Sequence, residues 1–160
     1  SYGDGATCLH HAESATRFAP AEVWENRNPW LVNRVELIKD SGGAGKYRGG
    51  LGVNLEFTML EDSYATTVCE RTLLPPWGLN GGKEGLANNC YVIEDDQKVL
   101  EKPKATRVHV KKGNRVLIQC GGGGGYGNPA ERNQEKVLDD YKQGYISKEY
   151  VNKFHPEVKI

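Results

Sequence analysis

Val53-Asn54-Leu55-Glu56-Phe57-Thr58-Met59 alternates apolar and polar side chains. That period of two puts one face of a strand on a core and turns the other towards water. Working outward, Leu60-Glu61-Asp62-Ser63 reads as a polar turn and Tyr64 to Arg71 as a second strand. Cys90 to Ile93, Thr106 to Val110 and Arg115 to Gln119 are further strands, and Val35 to Ile38 is a candidate before them. Lys111-Lys112-Gly113-Asn114 has the length of a hairpin loop between the last two strands, with Gly113 able to take positive φ. Short strands at this spacing predict a mainly β fold, an antiparallel sandwich or barrel-like sheets with glycine-rich loops.

The end of the chain changes period. Asn128-Pro129-Ala130-Glu131 reads as a helix start, with Asn as N-cap and Pro in the first helical position. Val137, Leu138 and Tyr141 then share a face, and Gly144 is the stop. Ser147 caps a second short helix carrying Tyr150, Val151 and Phe154, halted before Pro156. The expected organisation is a β-rich domain over residues 1–128 and a short helical tail over 129–160.

At 160 residues the chain is long enough for one domain with its own core. Its 21 Lys and Arg balance 21 Asp and Glu, which leaves no electrostatic footprint for nucleic acid or an anionic membrane. No apolar run reaches the roughly 18 residues of a membrane span, and Ser1-Tyr2-Gly3-Asp4-Gly5 lacks the basic and apolar regions of a signal peptide. Cys8, Cys69, Cys90 and Cys120 form no CxxC pair, so they read as reduced thiols of a cytoplasmic protein. Methionine occurs only at Met59, so the chain as it stands reads as processed or as a piece of a longer one.

Glycine supplies 20 residues, about one in eight against a usual share of about 7%. The clusters lie between the strands: Ser41-Gly42-Gly43-Ala44-Gly45, Arg48-Gly49-Gly50, Gly78 with Gly81-Gly82, and the run from Gly121 to Gly127. Gly122-x-Gly124-x-x-Gly127 matches a dinucleotide fingerprint, but no second strand with a ribose-binding acid follows it. An anion-binding loop remains as the alternative there. Gly45-Lys46 fails as a P-loop, because Asp40 and Tyr47 occupy positions that need Gly and Ser or Thr.

His10-His11 with Cys8 and Glu13 is a metal-like cluster whose spacing fits no zinc or iron signature, and a solvated segment explains it better. Ser1 as an N-terminal nucleophile competes with a plain chain end. Trp24, Trp30 and Trp77 sit beside Pro and charges, where they line a pocket or anchor loops. Glu70-Arg71 offers a carboxylate and an anion clamp, or a structural ion pair.

The residues from Asp40 to Gly52, with Ser41, Gly42, Gly43, Gly45, Tyr47, Gly49 and Gly50, resemble a signature of the hydantoinase B/oxoprolinase family. So do Glu70-Arg71 followed by Pro76-Trp77-Gly78 and Gly81-Gly82, and the run Gly122-Gly123-Gly124-Gly125-Tyr126-Gly127-Asn128-Pro129, where Asp often replaces Asn128. Pro20 to Val32 and the tail from Glu131 to Gly144 are similar to that family too.

The resemblance implies the C-terminal part, or a split equivalent, of a B-type subunit of an ATP-dependent cyclic-amide hydrolase. Its partners would be an A-type ATPase subunit, the N-terminal region of the B-type subunit and a small-molecule substrate. ATP and Mg would sit on the A-type subunit, which phosphorylates the substrate carbonyl. A divalent metal (Zn or Mn), in members that carry one, would belong to the N-terminal region, leaving none in this chain. Arg48 and Arg71 are the expected anion contacts, with Glu70 orienting Arg71; no residue is assigned as catalytic. The rivals are a component of a ketone carboxylase of the acetone or acetophenone type and a non-catalytic assembly module.

Overall fold

The computed structural model describes residues 3–7, 19–94 and 98–160. A helix, α1 (Ala21–Arg27), leads into strand β1 (Trp30–Leu37). There follow β2 (Val53–Met59), β3 (Ser63–Val68), β4 (Asn89–Glu94), β5 (Lys98–Glu101), β6 (Lys104–Val110) and β7 (Arg115–Cys120). A single 3-10 turn (Pro129–Glu131) precedes helices α2 (Gln134–Lys142) and α3 (Lys148–Phe154). Five strands form one antiparallel sheet in the order β1-β2-β7-β4-β5, and β3 pairs with β6 in a second, two-stranded sheet.

The alternation in β2 decides the stacking. Leu55, Phe57 and Met59 are buried with Cys90, Val92 and Val116 of the same sheet and with Val110 of β6. Ala65 and Val108 of the small sheet pack on the same cluster, so the fold is a mainly β sandwich. Trp24 and Trp30 flank Phe57 with ring centroids 5.5 and 5.6 Å away, which places both as core anchors. On the other face of β2, Glu56 is buried between Arg34 (2.6 Å) and Arg115. A carboxylate there is sustained by two guanidinium partners.

Several expectations change. The loop from Lys111 to Asn114 is not a hairpin: β6 pairs with β3 and β7 with β2 and β4, so the chain crosses between sheets there. Gly113 does take positive φ (86°), and it donates its N–H to the Met59 carbonyl (2.8 Å), tying the crossing to the end of β2. Burial of Val110 decides the pairing, since a hairpin would carry it out of the interface between the sheets. β3 stops at Val68 rather than Arg71, because its pairing partner β6 begins at Lys104 opposite Val68, and Arg71 lies in the loop beyond with φ 53°. β1 begins at Trp30 instead of Val35, and β5 and α1 are additions.

In the tail, Asn128 caps only the 3-10 turn, accepting from the Ala130 N–H (3.1 Å). Arg132 then turns extended, and Asn133 caps α2 through the Glu135 N–H (2.8 Å). The helix starts late because the Arg132 side chain is drawn inward to Asp4 and Asp140. Gly144 ends the α2 segment with φ 76°, and Ser147 caps α3 through the Tyr150 N–H (3.0 Å). Val137, Ile146, Tyr150, Val151 and Val158 make a second buried cluster, together with Ala44 of the first glycine loop.

Candidate functional site

The glycine clusters, far apart in sequence, converge into one layer packed backbone on backbone. Residues 41–50, 78–86 and 121–127 bond to one another rather than forming separate loops. The Gly43 N–H donates to Gly123 O (2.9 Å), the Gly123 N–H to Gly50 O (2.8 Å), the Gly125 N–H to Lys83 O (2.9 Å), and the Lys83 N–H to Ala44 O (2.7 Å). Tyr47 and Tyr126 exchange backbone hydrogen bonds at 3.0 and 2.9 Å, and the Leu79 N–H donates to Gly125 O (2.9 Å). A Cβ on Gly49 would overlap the Gly123 carbonyl, and one on Gly122 the Ser41 carbonyl. Neither obstacle is a movable side chain, so glycine is required by contact rather than by flexibility.

This geometry corrects the expectation of a phosphate-cradling loop. The N–H groups of Gly121, Gly122, Gly123, Gly125, Tyr126 and Gly127 already donate to Asn88 Oδ1 or to backbone carbonyls. An anion nest needs several adjacent N–H groups pointing at the ligand, and here they are consumed within the layer.

A buried ion network locks the layer to the tail. Arg48 binds both carboxylate oxygens of Asp140, through Nε (3.0 Å) and Nη2 (3.2 Å), and donates through Nη1 to Gly49 O (2.7 Å). Arg132 donates through Nη2 to Asp140 (2.7 Å) and to Asp4 (3.1 Å), and Asp4 also accepts the Arg48 N–H (2.8 Å). Burial works against ionisation of Asp4, but the Arg132 hydrogen bond and charge outweigh it and hold that carboxyl below its usual range. Lys136 adds a third cation from the surface, 4.0 Å from Asp4. Arg48, expected as an anion contact, thus has its guanidinium engaged by Asp140 and Gly49.

Arg71 lies elsewhere. It sits at positive φ in the loop after β3, with its guanidinium 4.8 Å from the exposed Trp77 ring. Glu70 does not orient it: the Glu70 carboxylate pairs with Lys104 at 2.9 Å, across the foot of the small sheet. Trp77, Gly78 and Gly82 line an open cleft of about 840 Å³ between the glycine layer and α3, opposite Ser147, Tyr150 and Lys153. Lys83 and Lys153 supply cations to it, and Asp40, Glu84 and Glu149 supply carboxylates. Tyr150 closes the base, donating its hydroxyl to Gly42 O (3.0 Å), and burial holds that hydroxyl protonated well above its usual range.

Asp4, Lys83 and Lys153 lie outside every sequence motif, and Arg132 and Asp140 lie in the family-like tail without being singled out there. Asp140 had one signal, an acidic residue in a helix whose other inward positions are apolar. Ser1, Cys8, His10, His11 and Glu13 fall outside the described residues. Among the described residues no three His, Cys, Asp or Glu side chains gather as a metal ligand set. His109 pairs with Asp62 at 3.2 Å on the surface, while His155 is buried beside Tyr150.

Comparison with known proteins gives these features a context. The family model for hydantoinase B/oxoprolinase matches residues 1–129. The B-type component of a D-/L-hydantoinase from a Pseudomonas species, a provisional name, is 34% identical over 151 residues, 92% of this chain and 26% of its own length. The beta chain of the caprolactamase of Pseudomonas jessenii is 35% identical over 136 residues, 79% of this chain and 22% of its own. The crystal structure of the ATP-dependent caprolactamase from that organism superposes with a TM-score of 0.80 and 28% identity, over 88% of this chain and 25% of that one. A nucleotide-free acetone carboxylase structure shares the fold, at a TM-score of 0.80 and 19% identity, over 95% of this chain and 25% of that one. The chain spans about a quarter of the length of these relatives. With the matched model covering all three glycine motifs and most of the chain, this protein belongs to the hydantoinase B/oxoprolinase family.

Proposed function

We propose that this chain is the C-terminal part of the B-type component of an ATP-dependent cyclic-amide hydrolase, working with an A-type ATPase subunit in the cytoplasm. What supports the reading is the double match to one enzyme: sequence and fold both lead to the caprolactamase, a lactam hydrolase by name. In this reading the ATPase partner, with its Mg-bound ATP, transfers the γ-phosphoryl group to the amide oxygen. Water then adds to the carbon and the tetrahedral adduct expels the ring nitrogen, opening the C–N bond to an acyl phosphate, from which a second water releases phosphate and the free acid. A phosphorylated amide is labile, so the walls around it must be rigid and exclude stray water.

The chain's own residues fit a wall better than a reaction centre. The glycine layer is a slab in which the N–H groups of Gly43, Lys83, Gly123, Gly125, Tyr126 and Gly127 are satisfied from within, and the Asp4-Arg132-Asp140-Arg48 network pins the helical tail to it. Arg48 therefore acts as a positioning residue that holds the Gly49 turn. Arg71, laid on Trp77 with its guanidinium towards solvent, is the anion contact.

The test is ATP turnover of the assembled enzyme, purified from its source. A hydantoin or lactam that stimulates hydrolysis supports the amide reading. Stimulation that needs a ketone together with bicarbonate moves the chain to the carboxylase reading, which the acetone carboxylase fold keeps as the second reading. Arg71→Ala is expected to lower amide-stimulated turnover at least tenfold without changing the melting temperature. Turnover left intact by that change removes Arg71 from the site.

A further inference from the structure

Among the described residues the two most exposed large apolar side chains, Leu73 and Leu74, share one loop with the exposed Trp77 and Leu79. Leu73 is 90% exposed, Leu74 77%, Trp77 63% and Leu79 56%. Apolar residues scattered singly over a surface are ordinary, whereas a contiguous group marks an interaction site. The loop is held out, not left loose. Asn88 fixes its start, donating through Nδ2 to Glu70 O (2.8 Å) and through its N–H to Arg71 O (3.2 Å). Its end is pinned by the Gly85 N–H on Pro76 O (2.9 Å) and by the Leu79 N–H on Gly125 O (2.9 Å). Between these anchors Arg71 takes a left-handed backbone conformation and stacks on Trp77. Such conformations are strained for a residue other than glycine and persist where the surroundings impose them.

Permanent interfaces are the apolar ones, resembling a core cut in half, while transient partner surfaces are about as polar as the rest of a protein.

We propose that residues 70–79 are the docking surface for the remainder of the B-type polypeptide, the larger part of the relatives' length that this chain does not span. The proposal rests on the functional reading above. The tethered remainder outcompetes a second copy or the ATPase partner, since relatives carry both parts in one polypeptide, which gives the contact a high effective concentration. Leu73 and Leu74 are its apolar anchors, and the Arg71–Trp77 stack forms the polar edge of the seam, next to the cleft that Trp77 also lines.

The test is site-specific photo-crosslinking in the assembled enzyme, with a benzophenone side chain in place of Leu73 or, separately, Leu74. Tryptic mass spectrometry then identifies the partner peptides, and the same probe at Lys159 serves as control. Crosslinks to B-type sequence outside this region, absent from the control, are the expected result. Crosslinks to the ATPase partner or to a second copy, or none in an intact complex, overturn the proposal. In the same complex L73D/L74D should speed proteolysis within residues 70–79 at least tenfold, and an unchanged cleavage rate also overturns it. The crosslink map is read whether or not amides stimulate ATP turnover, so failure of the interface and failure of the amide-hydrolase reading remain distinguishable.

Discussion

Replacing Asp140 by alanine would strip the central anion from the network that joins the glycine layer to the tail. Its side chain is 8% exposed and accepts from Arg48 at 3.0 and 3.2 Å and from Arg132 at 2.7 Å. Arg132 would keep Asp4, but Arg48 would be left as a buried cation with the Gly49 carbonyl and the Tyr145 ring (5.8 Å) and no anion. Breaking a buried pair from one side costs about 3–5 kcal/mol, chiefly the penalty of the orphaned charge. For a chain of this size each kcal/mol lowers Tm by about 2–4 °C, so D140A should melt about 6–20 °C early. Thermal unfolding followed by circular dichroism reads this directly. Arg48→Met in the D140A background should recover part of the loss, because it removes the orphan, and a double-mutant cycle isolates the coupling. A D140A shift under about 3 °C, or a double variant whose loss is the sum of the singles, would refute a dry, mutually dependent network.

Other consequences follow from single contacts. Gly49→Ala should fail to fold or lose more than about 4 kcal/mol, since its Cβ meets a backbone carbonyl; Gly113→Ala, with open space but φ 86°, should lose only about 1–2 kcal/mol in urea unfolding. Burial, aided by the Arg132 charge, holds the His155 imidazole below its usual pKa. The unfolded chain therefore takes up that proton first, and stability should fall as pH drops below about 6.5, a slope that His155→Gln should flatten in melts between pH 5 and 8. Asp4 contributes stability that is full above its unfolded pKa and is lost as the pH falls through its lower folded pKa. Burial, with Cys69 nearby, pushes the Cys90 thiol up to about 11. Native protein at pH 8 should therefore leave Cys90 unlabelled by maleimide over hours, and rapid labelling by mass spectrometry would contradict that burial.

Local chemistry was legible wherever a short stretch settles it. The alternation in Val53–Met59 specified a strand and its buried face, the Ser147 cap and the Gly144 stop bounded the helices, and the glycine spacing carried the family. Each of these is a property of neighbours within a few residues, and side-chain period, capping and φ preference are all local quantities.

Tertiary structure decided what depends on distant partners. Lys111–Asn114 suits a hairpin by length, yet the burial of Val110 sends β6 to a different sheet from β7. The run from Gly121 to Gly127 leaves an anion-binding loop open by pattern, but most of its N–H groups are taken by Asn88 and the other glycine segments, across separations that no pattern in the chain records. Arg48 and Arg71 look equivalent as cations beside glycine- and proline-rich motifs. One is buried on Asp140, 92 residues away, and the other lies on Trp77 in the open. Charge is written in the sequence, whereas what a charge faces is fixed only when the whole chain has paid its folding entropy and closed around it.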